Sequence, residues 1–333
     1  MKNRTITFKT PISIQETATI AGPKEGAGPL KDYYHNILEN DVLGQKSFES
    51  AEIKIHTYTI KHMLNRAKLK ENDIDCVFCG DLLDEIIGCN YTMREFDIAF
   101  MGLYNACATF GEALILGATM LDAGHMEKVI CSTASHFSSA ERKFRYPLEL
   151  GSQRTPLSQW TVTGAGSTLL SKQDVSKIKI TMATVGRVVD YGVSDANDMG
   201  AAMAPAAMDT LIAHFRDTGR KPDYYDLIAT GDLGHSGSRL LQKLIKEKNI
   251  ELNDNYTDCG ILVYNRESQD VQQGGSGTGC CSLVFNSYIY TQLKRGKYKK
   301  ILLVPTGALV SKISSLQGET IPAIAHAVAI EVL

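Results

Sequence analysis

Asp73-Ile-Asp-Cys-Val-Phe-Cys-Gly80-Asp81-Leu82 and Tyr224-Tyr-Asp-Leu-Ile-Ala-Thr230-Gly231-Asp232-Leu233 are two versions of one pattern, 151 positions apart. Each is a short apolar run ending in Gly-Asp-Leu, the signature of a buried strand running into a turn. Further on, His125-Met-Glu-Lys128-Val-Ile-Cys-Ser-Thr133 is matched by Lys297-Tyr-Lys-Lys300-Ile-Leu-Leu-Val304, 172 positions later. The second half has therefore gained about 21 residues between these points, and 253–272 is expected to supply them as an extra hairpin. Two ordinary βα units would match in this way only by coincidence in both the tripeptide and the order that follows. The recurrence predicts two α/β halves, 1–173 and 174–333, related by a pseudo-twofold axis, with packed sheets covered by helices.

Working outward, the Gly- and Pro-rich stretch 21–30 reads as a loop after a first short strand. The spacing of apolar residues predicts helices over 47–68 and 108–123, the latter ended by Gly124. Strands are expected at 129–132, 161–170 and 178–189. In the second half, helices are expected at 204–218, 239–248 and 282–295, with strands at 226–230, 301–305 and 323–331.

Composition narrows the class. The 333 residues carry 35 basic and 37 acidic side chains, a balance that gives no bulk electrostatic reason to bind nucleic acid. With 44% hydrophobic and 22% charged residues the chain can build a large core, which excludes wholesale disorder. The start, MKNRTITFKTPISIQE, lacks the apolar core of a secretory signal, and no stretch is apolar enough to span a bilayer. Any membrane association is expected to be peripheral. The eight cysteines form no dense framework and read as reduced, buried thiols.

Four constellations carry chemistry. Cys107, in Tyr104-Asn-Ala-Cys-Ala-Thr-Phe-Gly-Glu112, precedes a helix of small residues. A thiol at a helix N-terminus is expected to have a lowered pKa, and the same N–H groups suit a carboxylate. An inert buried cysteine fits the pattern equally. The turn Gln273-Gly-Gly275-Ser276-Gly-Thr278-Gly-Cys280-Cys281 is the second-half counterpart. Its glycines let a ligand approach the backbone, or let the pseudo-axis pack tightly. The cluster Ser135-His136 through Glu141-Arg142-Lys143-Phe-Arg145 follows a strand end and offers an imidazole and guanidinium forks for carboxylates, or a solvated charged loop. Asp81 and Asp232 are equivalent in the repeat and suit binding a cation, orienting a base, or capping the next helix. His235 and His326 read as structural.

These features, with the strand Thr163-Gly-Ala-Gly-Ser-Thr-Leu-Leu, resemble the thiolase and ketoacyl-synthase superfamily. Within it the chain is most similar to a family of sporulation proteins of spore-forming bacteria. The matching stretches include Gly22-Pro-Lys-Glu, Ala140-Glu-Arg-Lys-Phe-Arg-Tyr-Pro, Asp198-Met-Gly-Ala-Ala-Met-Ala-Pro-Ala-Ala and Thr306-Gly-Ala-Leu. The resemblance implies a five-layer αβαβα fold and a homodimer. It also implies a non-enzymatic role without a cofactor: binding dipicolinic acid, free or with calcium, at the spore inner membrane beside other proteins of a membrane complex. That complex moves the compound into the developing spore and releases it in germination. Condensing enzymes of the superfamily place a histidine where this chain has Asp232, and an asparagine or histidine where it has Gly275-Ser276. Cys107 then marks a vestigial nucleophile position, and the expected ligand contacts are Cys107, His136, Arg142, Arg145, Asp81, Asp232, Gly275 and Ser276. The alternatives are an acyltransferase that loads Cys107, with His235 reaching in from its shifted position, and a pure scaffold.

Overall fold

The structure, a computed structural model, describes residues 2–140 and 153–333. The first half supplies β1 (Thr5–Ala21), β2 (Cys76–Gly80), β3 (Phe100–Gly102), β4 (Lys128–Ser135) and β5 (Gly164–Ser171). The second supplies β6 (Ile178–Thr184), β7 (Leu227–Thr230), β8 (Tyr256–Asp258), β9 (Lys300–Val304) and β10 (Ala327–Val332). Their order across the sheet is β8-β7-β9-β10-β6-β1-β5-β4-β2-β3. Read from the centre outward, the two halves have the same order, each with two antiparallel pairings followed by two parallel ones. The repeat seen in sequence is therefore a repeat of topology.

The described helices of seven residues or more are α1 (Phe48–Ala67), α2 (Ile87–Met93), α3 (Thr109–Asp122), α4 (Met199–Thr218), α5 (Gly234–Lys246) and α6 (Thr278–Val284). After α6 the chain continues through a π turn (Phe285–Ile289) and a last α turn (Tyr290–Lys294). Strand alternation sorts them into layers. In β2, Val77 and Cys79 face one way, into a core shared with Ile60 and Met63 of α1 and Cys89 of α2. Cys76 and Phe78 face the other way, into a core with Phe110 and Leu114 of α3 and Leu283 of α6. That same core receives Ile301 and Leu303 of β9, while Leu302 and Val304 pack on Met203 of α4 and Leu241 of α5. The layers are thus helix, sheet, helix, sheet, helix, with α3 and α6 in the middle.

Three expectations need correction. β1 is not short: its 17 residues pair first with β6 and then with β5, joining the two halves by hydrogen bonds. Pro11, which disguises the strand in sequence, lies where the β1–β6 register shifts between Thr7 and Ile12. The segment 253–272 is not a hairpin. It contributes β8, parallel to β7, and a short helix, Cys259–Val263. The final strand is split at His326: Ala323–Ala325 pairs with Thr306–Ala308, and β10 joins the main sheet. The 173/174 boundary falls in the link between β5 and β6. No helix among the described residues is long and apolar enough to cross a membrane.

Candidate functional site

Equivalent turns precede the two central helices. Before α3, Ala106 adopts φ 49°, in the left-handed region that side chains avoid. Thr109 ties this turn: its Oγ1 accepts from Asn105 N at 2.9 Å and donates to Ala106 O at 2.6 Å. Before α6, Gly277 adopts φ 104°, where a Cβ would stand 2.8 Å from Ser135 Oγ. Ser135 is itself fixed, donating to Val162 O at 2.7 Å and accepting from Gly279 N at 3.0 Å. The two turns bring Cys107 and Ser276 together, with Sγ 3.9 Å from Oγ.

Asp232 lies behind them. It accepts from Ser276 Oγ at 2.7 Å, from Thr306 Oγ1 at 2.6 Å and from Gly277 N at 3.2 Å. Its backbone carbonyl accepts from Gln159 Nε2 at 2.5 Å. Burial pushes its carboxyl up, while these hydrogen bonds oppose the shift. The Cys107 thiol is pushed well up as well, first by burial and then by the Asp232 charge, against weaker help from Ser276 and Gly277 N–H. This corrects the expectation of a lowered thiol pKa at a helix N-terminus. Buried in a low dielectric and faced by a carboxylate, a thiolate is disfavoured more than one helix end can offset.

Cys107, Ser276 and Gly277 open onto a cavity of about 120 Å³. Its wall also includes Tyr104, Asp84, Gln159, Thr161, Asn197 and Ser311. A closed apolar cavity of about 150 Å³ accommodates a benzene ring, so this space is of that order but somewhat smaller, with a more polar wall. No Lys, Arg or His stands among the described lining residues. Ala140, the last described residue before Arg142 and Arg145, is part of the wall; those two arginines lie outside the described residues.

The other expected contacts are elsewhere. His136 is fully buried away from the cavity wall: Nε2 donates to Asp41 O at 2.9 Å, and Nδ1 accepts from Ser138 N at 3.1 Å. Asp81 holds the turn into α2, accepting from Leu83 N at 2.8 Å and Cys89 N at 2.6 Å, as the capping reading expects. Gly275 serves packing: a Cβ there would meet Val263 Cγ1 at 2.5 Å. His235 lines a different cleft and is not part of the wall at Cys107. His326 joins Gly186 N and the Asn105 side chain. Sequence reasoning missed Gln159, Thr161, Asn197, Ser311 and the Asp232 partner Thr306. Thr306 carried a signal, in the stretch Thr306-Gly-Ala-Leu shared with the sporulation family.

The fold and the cavity at the paired helix turns define a thiolase-like chain of the condensing-enzyme architecture. Solved structures with this fold include 3-oxoacyl-[acyl-carrier-protein] synthase III of Aquifex aeolicus, at 14% identity and TM-score 0.54, covering 97% of this chain and 99% of that one. They also include OleA of Xanthomonas campestris with bound lauric acid and lauroyl-CoA, at 13% identity and TM-score 0.63, covering 97% and 99%. At such identities the likeness is one of fold. The sequence profile of the stage V sporulation protein AD family matches residues 2–331. Stage V sporulation protein AD of Bacillus subtilis (strain 168) is 40% identical over 328 residues, 98% of this chain and 96% of that protein. The chain belongs to the stage V sporulation protein AD family.

Proposed function

We propose that the chain is a non-enzymatic binding protein for dipicolinic acid, held in the cavity at Cys107 and acting in uptake into the forespore and release in germination. In this reading it works at the periphery of the inner spore membrane, as a homodimer within a membrane complex. The observation that carries the reading is the carboxylate of Asp232, bonded to Ser276 beside Cys107, where the resemblance to condensing enzymes calls for an imidazole. A cationic imidazole would stabilise a thiolate; a carboxylate opposes one. The cavity then has the position of an acyl-loading site without the electrostatics of one.

Size and polarity support a small ring compound. The cavity is on the scale of one small ring, and a rigid dicarboxylate loses little conformational entropy on binding. The described wall offers neutral donors and one carboxylate, Asp84. A calcium chelate, whose charges cancel, suits such a wall better than the free dianion.

The test uses Trp160, the single tryptophan, which stacks on Phe137 with centroids 3.8 Å apart and sits between two wall residues, Gln159 and Thr161. Its fluorescence is expected to change saturably on titration with dipicolinic acid, more tightly with calcium, and Ser276→Ala is expected to weaken the response. No response with or without calcium would overturn the reading. So would an acyl adduct on Cys107, seen by intact mass after incubation with an acyl-CoA.

A further inference from the structure

A second cleft, of about 220 Å³, opens on α5 away from Cys107. The helix begins at Gly234, five residues before the predicted start, and this places His235, Ser238, Arg239 and Gln242 on one face at helical spacing. Arg266, Tyr256 and Thr257 close the other side.

The cleft has three groups that can carry positive charge and no carboxylate in its described lining. Neither Arg239 nor Arg266 forms an ion pair among the described residues. Arg266 is held in place through Nε, which donates to Gln272 O at 2.7 Å and leaves both terminal nitrogens for another partner. His235 is anchored by its backbone N–H on Gln273 O at 2.9 Å. Burial lowers the pKa of its ring, and the charges of Arg266 and then Arg239 lower it further, so both guanidiniums act on the imidazole. The buried Ser238 hydroxyl lies beside the Tyr256 phenol and makes no hydrogen bond of normal geometry. The first N–H groups of α5 are already taken: Gly234 N donates to Asp258 at 3.0 Å. The attraction therefore comes from side chains.

We infer that the cleft between Arg239 and Arg266 binds a small oxyanion, a phosphate or carboxylate group, with His235 and Ser238 as further donors. Converging cations without counter-charge are a cost in the empty cleft that an anion relieves, and two guanidinium forks give it direction. This site is separate from the cavity at Cys107 and does not rest on the function proposed for that cavity.

The experiment is calorimetric titration of the full chain with inorganic phosphate and, in parallel, with acetate, at low ionic strength. Saturable one-site binding of at least one probe is expected, weakened about tenfold or more in Arg239→Ala/Arg266→Ala. Gln242→Glu, which places a carboxylate in the cleft and spares both arginines, is expected to abolish binding while circular dichroism stays unchanged. Tighter phosphate assigns the site to phosphoryl groups, and tighter acetate to carboxylates. No saturable heat with either probe, or binding indifferent to the double variant, would overturn the inference.

Discussion

Asp81 and Asp232 occupy the same Gly-Asp-Leu tripeptide on matching strands, yet they do different work. Asp81 spends both oxygens on backbone N–H groups, those of Leu83 and Cys89, and so shapes the turn into α2. Asp232 turns to side chains from distant segments, Ser276 and Thr306, and to Gly277 N, and stands against Cys107. The two turns before α3 and α6 differ likewise: one tolerates Ala106 at positive φ, the other uses Gly277. A duplicated fold keeps backbone roles symmetric, because strand order demands it. Side chains at the axis are free to diverge, and in this chain the divergence is concentrated around one thiol.

The sharpest way to break the comparison is to remove each carboxylate. Asp232→Ala leaves two hydroxyls and one N–H without their acceptor, and about 3 kcal/mol of lost stability is expected from urea unfolding. Asp81→Ala orphans two N–H groups, with about 2 kcal/mol expected. Stability alone does not separate them; the thiol does. With Asp232 gone, the pH midpoint for alkylation of Cys107 is expected to fall, and with Asp81 gone to stay in place. An unmoved midpoint in Asp232→Ala would remove that carboxylate as a cause of the raised thiol pKa.

The pseudo-symmetry was legible because it rests on local pattern. Short apolar runs, Gly-Asp-Leu and the small-residue helix at Cys107 each signal within about ten residues. The site was legible only where it coincides with those signals, at Cys107, Asp232 and Ser276. Gln159 was not, since it enters through pairing of 160–161 with 275–276, and its hydrogen bond to Gly275 spans 116 positions. His136 misled because residue type says nothing of direction: it sits at the end of β4 but turns toward Asp41. The length of β1 was hidden by Pro11 and by charged residues that a long pairing absorbs.

Asp258 sharpens the comparison through pH. Its carboxyl is pushed up to about 7 by burial, with Asp232 adding to the rise, from an ordinary 3.8. Between these values the folded chain keeps a proton that the unfolded chain has lost, so this group's contribution to stability falls as pH rises toward 7. Buried histidines act in the opposite sense: burial lowers His56 to about 3 and His214 to about 4, which favours the fold above their unfolded value of 6.5. The whole chain's profile is a sum of both, so the check is a difference. Asp258→Asn, measured against wild type by urea unfolding at pH values of about 4.5 and 7.5, is expected to gain in relative stability at the higher pH. One pKa unit corresponds to about 1.4 kcal/mol, and this pH interval spans somewhat more than two units of the shift, so a gain of roughly 3 kcal/mol is expected. A difference that does not change with pH would place the Asp258 carboxyl in its ordinary range.

The smallest effects come from exchanging the residues that open the two turns, and here the halves should respond with opposite signs. Gly277→Ala adds a Cβ at φ 104° that meets Ser135 Oγ at 2.8 Å and Thr161 Cγ2 at 3.0 Å, for an expected loss of about 1–2 kcal/mol. Ala106→Gly relieves about 1 kcal/mol of left-handed strain, but the freer unfolded chain returns most of that. Its net effect on the urea midpoint is expected to lie within about 0.5 kcal/mol of zero, on the stabilising side. A clear loss in Ala106→Gly would mean that the alanine methyl packs against something the turn needs. The Cys107 turn would then be held by its side chains as firmly as the Gly277 turn is held by its lack of one.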